Sequence, residues 1–149
     1  MRIASFNINN INKRLENLLA WLAKTKPDVA CLQELKAGQG AFSADPLRDA
    51  GYEAVWGGER SWNGVAILAR DRVPVLVRSS LPGDPKDFQA RYIEGAVDGI
   101  LVTSLYLPNG NPQPGPVLTI DFRLPLVMIR PTLGRRVKLK PFPHQELHQ

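Results

Sequence analysis

Apolar and polar residues alternate from Arg2 to Asn7, the two-residue period of a strand. Leu15, Leu18, Leu19 and Leu22 then recur at helical spacing, predicting a helix over Ile11 to Lys24 that Pro27 ends. Val29 to Glu34 is a continuous apolar run closing on Gln33-Glu34, which suits a buried strand whose polar end emerges from the sheet. A short helix over Pro46 to Ala50 stops at Gly51. Tyr52 to Trp56, Val65 to Ala69, Val73 to Arg78, Tyr92 to Val97 and Ile100 to Tyr106 all read as strands, with glycine, proline, asparagine or aspartate in most of the gaps.

Strand, helix, strand followed by strands alone predicts an α/β protein that begins with one crossover and continues as an antiparallel meander. Beyond Asn109 to Pro116 the pattern is lost. Prolines interrupt every apolar run, and Arg135 to Lys140 is a basic stretch with no partner segment, so an irregular tail is expected over 117–149.

Composition refines this picture in three ways. At 149 residues and 44% hydrophobic, the chain can bury the core of one ordinary domain. The net charge of +5 invites a nucleic-acid partner, but up to Pro116 there are 13 basic and 12 acidic residues, and most of the excess belongs to the tail. The single cysteine, Cys31, lies within an apolar run and reads as a buried hydrophobe, excluding an intrachain disulfide. The start Met1 to Phe6 has no signal-peptide layout, and no apolar run nears the roughly 20 residues of a membrane span, so a cytoplasmic protein without a membrane anchor is expected.

Candidate chemistry lies at two strand ends. If the first strand and the one after the crossover are parallel neighbours, Asn7 and Glu34 emerge side by side, where sites form in such sheets. A carboxylate beside an amide oxygen suits Mg²⁺, which takes oxygen ligands and often only one or two carboxylates. The same residues also fit a plain asparagine turn and a surface glutamate.

Taken together, Ser5-Phe6-Asn7-Ile8-Asn9, Pro27-Asp28-Val29 through Leu32-Gln33-Glu34 with Lys36, Gly51-Tyr52, Asn63 to Leu68 and Tyr106-Leu107-Pro108-Asn109-Gly110 resemble exodeoxyribonuclease III-like apurinic/apyrimidinic endonucleases in order and approximate spacing. The resemblance covers residues 1–116, the first half or slightly less of a family member. It implies part of a four-layer α/β sandwich of the deoxyribonuclease I-like kind, and Mg²⁺ as cofactor with Mn²⁺ as a substitute. The implied partner is double-stranded DNA with abasic sites or 3′ ends, with no protein partner. Carried across, Glu34 resembles the metal-binding glutamate, Asn7 the asparagine beside it, Tyr106 the tyrosine near the scissile phosphate, and Arg91 an arginine that contacts DNA phosphate.

The chain departs from that pattern. Leu35 stands where a threonine is usual, and Asn10 where a glycine is, a turn position asparagine tolerates. After Tyr106 there is neither a Gly-Asp-any-Asn strand end nor a Ser-Asp-His segment, and His144 and His148 lack neighbours that would orient a base. Val117 to Phe122 can be encoded by codons that, read from the third base, yield Phe-Asp-Tyr-Arg-Leu, close to the family's next segment. A frameshift from about residue 117 would therefore explain the tail. The resulting expectation is a DNA-repair hydrolase by ancestry that is inactive alone, retaining at most weak DNA binding. A phosphomonoesterase or phospholipid phosphodiesterase of the same broad fold group is the alternative.

Overall fold

A computed structural model describes residues 1–82 and 88–107 together with the backbone of 126–131. The elements are β1 (Ile3–Asn7), α1 (Leu15–Thr25), β2 (Val29–Gln33), α2 (Asp45–Asp49), β3 (Tyr52–Gly57), β4 (Val65–Arg70), β5 (Val75–Arg78), β6 (Tyr92–Val97), β7 (Ile100–Leu105) and β8 (Leu126–Pro131). They form two four-stranded sheets, in the orders β1-β2-β4-β3 and β5-β6-β7-β8. Among the described strands only β1 and β2 are parallel; every other neighbouring pair is antiparallel. The antiparallel part of the chain is thus divided between two sheets.

The continuous apolar runs of β2 and β4 find their reason in this layering, because both strands are covered on both faces. Ala30, Leu32, Ala66 and Leu68 point to one side and pack with Leu18 and Leu22 of α1 and Leu47 of α2. Val29, Cys31, Val65, Ile67 and Ala69 point to the other and pack with Ile93, Val97, Ile100 and Val102 of the second sheet. The period-two alternation of side chains along a strand makes this sorting automatic. Cys31 is fully buried, and that burial pushes its thiol up to about 12, so it behaves as the core hydrophobe expected of it.

Several element bounds differ from the periodic reading, and at α1 and β2 the cause is visible. α1 begins at Leu15 and not at Ile11, because the Ile11 amide is drawn to the Leu35 carbonyl at 3.0 Å. Lys26, left-handed at φ 46°, caps its end with a bond from its N–H to Leu22 O. β2 stops at Gln33 because Glu34 turns to φ 55°.

Within the stretch where an irregular tail is expected lies β8, which pairs antiparallel with β7 from Leu105↔Leu126 to Ile100↔Pro131. Leu126 to Ile129 is a short apolar run between Pro125 and Pro131, just long enough for one strand, and prolines are tolerated at the ends of a strand or at a sheet edge. The unpaired edge of β7 supplies the missing half of the ladder, which a reading of the tail alone does not contain. Pro108 to Pro116, Arg135 to Lys140, His144 and His148 lie outside the described residues.

Asp28 fastens one end of the first sheet. Its carboxylate accepts from the Arg2 amide at 2.6 Å and from Arg70 Nη2 at 2.8 Å, joining the starts of β1 and β2 to the end of β4. Burial pushes its carboxyl up, but the Arg2 hydrogen bond, the Arg70 hydrogen bond and charge, and the chain amino group outweigh it and hold it below the ordinary value of 3.8. A depressed carboxylate stabilises the fold above its unfolded value and loses that contribution as pH falls through the folded value. Asp28→Asn is therefore expected to cost about 1 kcal/mol at pH 7. Urea unfolding should show the gap closing as pH drops below about 3.8; a gap independent of pH would refute the clamp.

Candidate active site

The register of β1 on β2 pairs Asn7 with Gln33, so Glu34, one residue further, emerges beside Asn7 as the strand-end reasoning anticipates. Asn7 Nδ2 donates to Glu34 Oε1 at 2.8 Å, while Asn7 Oδ1 accepts from the Asn9 amide at 3.0 Å. On the other carboxylate oxygen, Lys36 Nζ lies 3.0 Å from Glu34 Oε2. The Tyr106 phenol, at the end of β7 in the second sheet, also hydrogen-bonds Glu34. One carboxylate thus gathers an amide, an ammonium and a phenol from both sheets.

The backbone here is held in sparsely populated conformations. Asn9, Asn10, Glu34 and Lys36 all have positive φ, a state that side chains disfavour and that persists only where neighbours enforce it. Enforcement is visible: Asn10 N donates to Glu34 O, Leu35 N to Gly64 O and Lys36 N to Asn63 O, at 2.9, 3.1 and 2.9 Å. Asn10 at φ 86° meets the demand that the sequence placed on it in a position usual for glycine. Leu35, fully buried, contributes packing in place of the threonine hydroxyl.

Protonation states follow from these contacts. Burial pushes Glu34 up, but hydrogen bonds from Asn7, Lys36 and Tyr106 and the Lys36 charge prevail, holding the carboxyl below its ordinary range and ionised at neutral pH. Tyr106 is pushed up to about 12 by burial, then by its hydrogen bond to Glu34 and the Glu34 charge, with Arg91 pulling the other way. It remains a neutral donor. Arg91 belongs to the same neighbourhood, since its carbonyl accepts the Tyr106 amide at 2.8 Å.

Several contributors carry no local signal in the sequence. Glu59 accepts from Asn63 Nδ2 at 3.0 Å and from the Ala90 amide at 2.8 Å, and the Gly64 amide donates to Ala90 O at 2.8 Å, tying the β3–β4 loop to the segment before Arg91. Gln33, fully buried, donates from Nε2 to Ser5 Oγ and to Ser104 Oγ of β7, bridging the sheets just beneath Glu34. The span from Gln33 to Ser104, 71 residues, shows why no spacing rule reaches it.

The donor set fits a hard divalent cation. Glu34 offers a carboxylate, Asn7 Oδ1 keeps a second lone pair, and the Lys36 ammonium already shows that positive charge is accommodated on Oε2. Among the described residues no group of three or more histidine, cysteine, aspartate or glutamate side chains could hold a metal ion. The site as described therefore supplies one carboxylate and its hydrogen-bonding company. Among those residues, too, no helix is long and apolar enough to cross a membrane.

A mixed sheet packed on an antiparallel one, with a carboxylate at the end of the parallel pair, defines the class: the chain belongs to the Endonuclease/Exonuclease/phosphatase family, which it matches over residues 4–142. It has part of the fold shared by exodeoxyribonuclease III and the AP endonucleases. Exodeoxyribonuclease III of Haemophilus influenzae is 35% identical over 114 residues, covering 74% of this chain and 42% of that protein. A 3′ phosphatase from Neisseria, solved with a product DNA hairpin, is similar at TM-score 0.68 and 41% identity, over 72% of this chain and 42% of that one. An AP endonuclease from Archaeoglobus fulgidus is similar at TM-score 0.67 and 38% identity, over 72% and 41%. The chain spans about two fifths of the length of the curated relatives it matches. DNA-repair nucleases are thus its relatives.

Proposed function

We propose that this chain carries part of the active site of a Mg²⁺-dependent DNA-repair nuclease of the exodeoxyribonuclease III type, and that alone it binds the metal without turning over. The observation that carries the reading is the convergence of Asn7, Lys36 and Tyr106 on one ionised carboxylate, Glu34. Glu34 would hold Mg²⁺, or Mn²⁺ in its place, with Asn7 orienting the carboxylate and lending its amide oxygen. A divalent ion bound there supplies Lewis-acid polarisation of a phosphoryl oxygen. Tyr106, still protonated at neutral pH, donates a hydrogen bond to charge developing on the phosphate. Arg91 contacts a backbone phosphate of duplex DNA carrying an abasic site or a 3′ end.

Inactivity follows from what hydrolysis needs and the sequence lacks. A water attacking phosphorus must be oriented and deprotonated, and neither a Ser-Asp-His segment nor a Gly-Asp-any-Asn strand end follows Tyr106. Residues from about 117 read as a shifted frame within this proposal, and sequencing the encoding DNA tests that directly.

The primary test pairs calorimetric metal binding with an abasic-duplex cleavage assay on the purified chain. Wild type is expected to bind Mg²⁺ or Mn²⁺ weakly and Glu34→Gln at least tenfold more weakly, with no cleavage by either. Equal metal affinity in both removes Glu34 from the metal role, whereas cleavage by wild type lost in the variant removes the claim of inactivity. A second reading, removal of a 3′ phosphate, is favoured by the likeness to the Neisseria 3′ phosphatase, and a 3′-phosphorylated duplex in the same assay separates the two.

A further inference from the structure

Lys36 takes part in the site in a way that its place in a motif does not explain. Its ammonium lies 3.0 Å from Glu34 Oε2, 2.6 Å from Asn9 Oδ1 and 5.7 Å from the centroid of the Trp62 ring. Glu34 and Lys36 are 18% and 20% exposed at their side chains, so the pair is shielded from water, whereas Trp62 is 71% exposed. Left-handed backbone at both Glu34 and Lys36 brings the lysine back over the carboxylate two residues before it, and the bond from Lys36 N to Asn63 O fixes its main chain. Only the side chain is left to move.

We propose that Lys36 is a built-in stand-in cation. Its ammonium sits on the carboxylate oxygen that a divalent ion would take, and the ion's arrival moves it off Glu34, leaving it held by Asn9 and the face of Trp62, which it already touches. This deepens the reading of Glu34 as a metal ligand and rests on it. A shielded carboxylate with too few partners is costly, so the metal-free site needs a positive charge, and Lys36 provides it. A dication and an ammonium repel each other on one carboxylate oxygen, so binding of one disfavours the other. The departing ammonium keeps an amide oxygen and an aromatic face, two partners that satisfy a cation without competing for the metal. Lys36 therefore sets a threshold: the site fills only when divalent ion is abundant enough to displace a tethered competitor.

The test measures Mn²⁺ binding to the whole chain from the electron paramagnetic resonance of free Mn²⁺, in wild type, Lys36→Met, Lys36→Gln and Glu34→Gln. Both Lys36 variants are expected to bind about five- to tenfold more tightly than wild type, since competitor and repulsion are removed together. The gain should persist in 0.5 M KCl, where the screening length of about 4 Å suppresses distant charge effects. Saturating Mg²⁺ should also change Trp62 emission in wild type, identified by its absence in Trp62→Phe, and leave Lys36→Met unchanged. Unchanged or weaker Mn²⁺ affinity in both Lys36 variants, or a gain erased by salt, overturns the stand-in role alone. Mn²⁺ affinity unaltered by Glu34→Gln, or no binding to any of the proteins, overturns the metal reading and this inference with it.

Discussion

Replacing Gly64 with alanine should destabilise the protein by about 2–4 kcal/mol and disturb the Glu34 loop as well. Gly64 sits at φ 103°, where an L side chain is strained, and a Cβ placed there would come within 2.7 Å of Leu35 Cβ. Leu35 is fully buried and its amide donates to Gly64 O, so neither partner can step aside cheaply. Any retreat of Leu35 carries its neighbours Glu34 and Lys36 with it. Urea unfolding followed by circular dichroism gives the stability change, and Mn²⁺ binding reports on the site. A variant of wild-type midpoint would mean that the loop is more pliable than its hydrogen bonds imply.

An effect of similar size is expected from Ile67→Ala, for a different reason. Ile67 is fully buried in β4 on the face towards the second sheet, among Val29, Cys31, Ile93, Val97, Ile100 and Val102. Its Cδ1 would lie 3.3 Å from a Cβ at Gly95, so the absence of a side chain in β6 is what lets the two sheets close over it. Truncation removes three carbons from that interface and leaves a void, costing about 2–5 kcal/mol. A domain of this size has only about 5–15 kcal/mol to lose. Val75→Ala is the matched control: Val75 is 62% exposed on the edge strand β5 and should shift stability by no more than about 0.5 kcal/mol. Equal midpoints for the Ile67 and Val75 variants would show that the sheets do not share a core.

Much of the architecture was legible along the chain. The run Val29 to Gln33 announces a strand covered on both faces, and its odd and even positions separate into the two cores that the structure contains. The strand-end placement of Asn7 beside Glu34 follows from parallel pairing of β1 with β2, which the intervening helix demands. The start of α1 and the existence of β8 were not legible, because each depends on a bond to a distant segment: Ile11 to Leu35, and β8 to the free edge of β7.

What the sequence determined by itself is the order and period of the elements, the family, and the acidic residue around which chemistry could gather, because these reside in side-chain type and near-neighbour spacing. Tertiary structure alone decided that the Lys36 ammonium rests on Glu34, that Tyr106 reaches the same carboxylate from the other sheet, and that Glu59 and Gln33 bind the two halves together. Those contacts join residues as far apart as Gln33 and Ser104, and a hydrogen bond is satisfied by whichever partner the packed sheets bring within about 3 Å, not by distance along the chain.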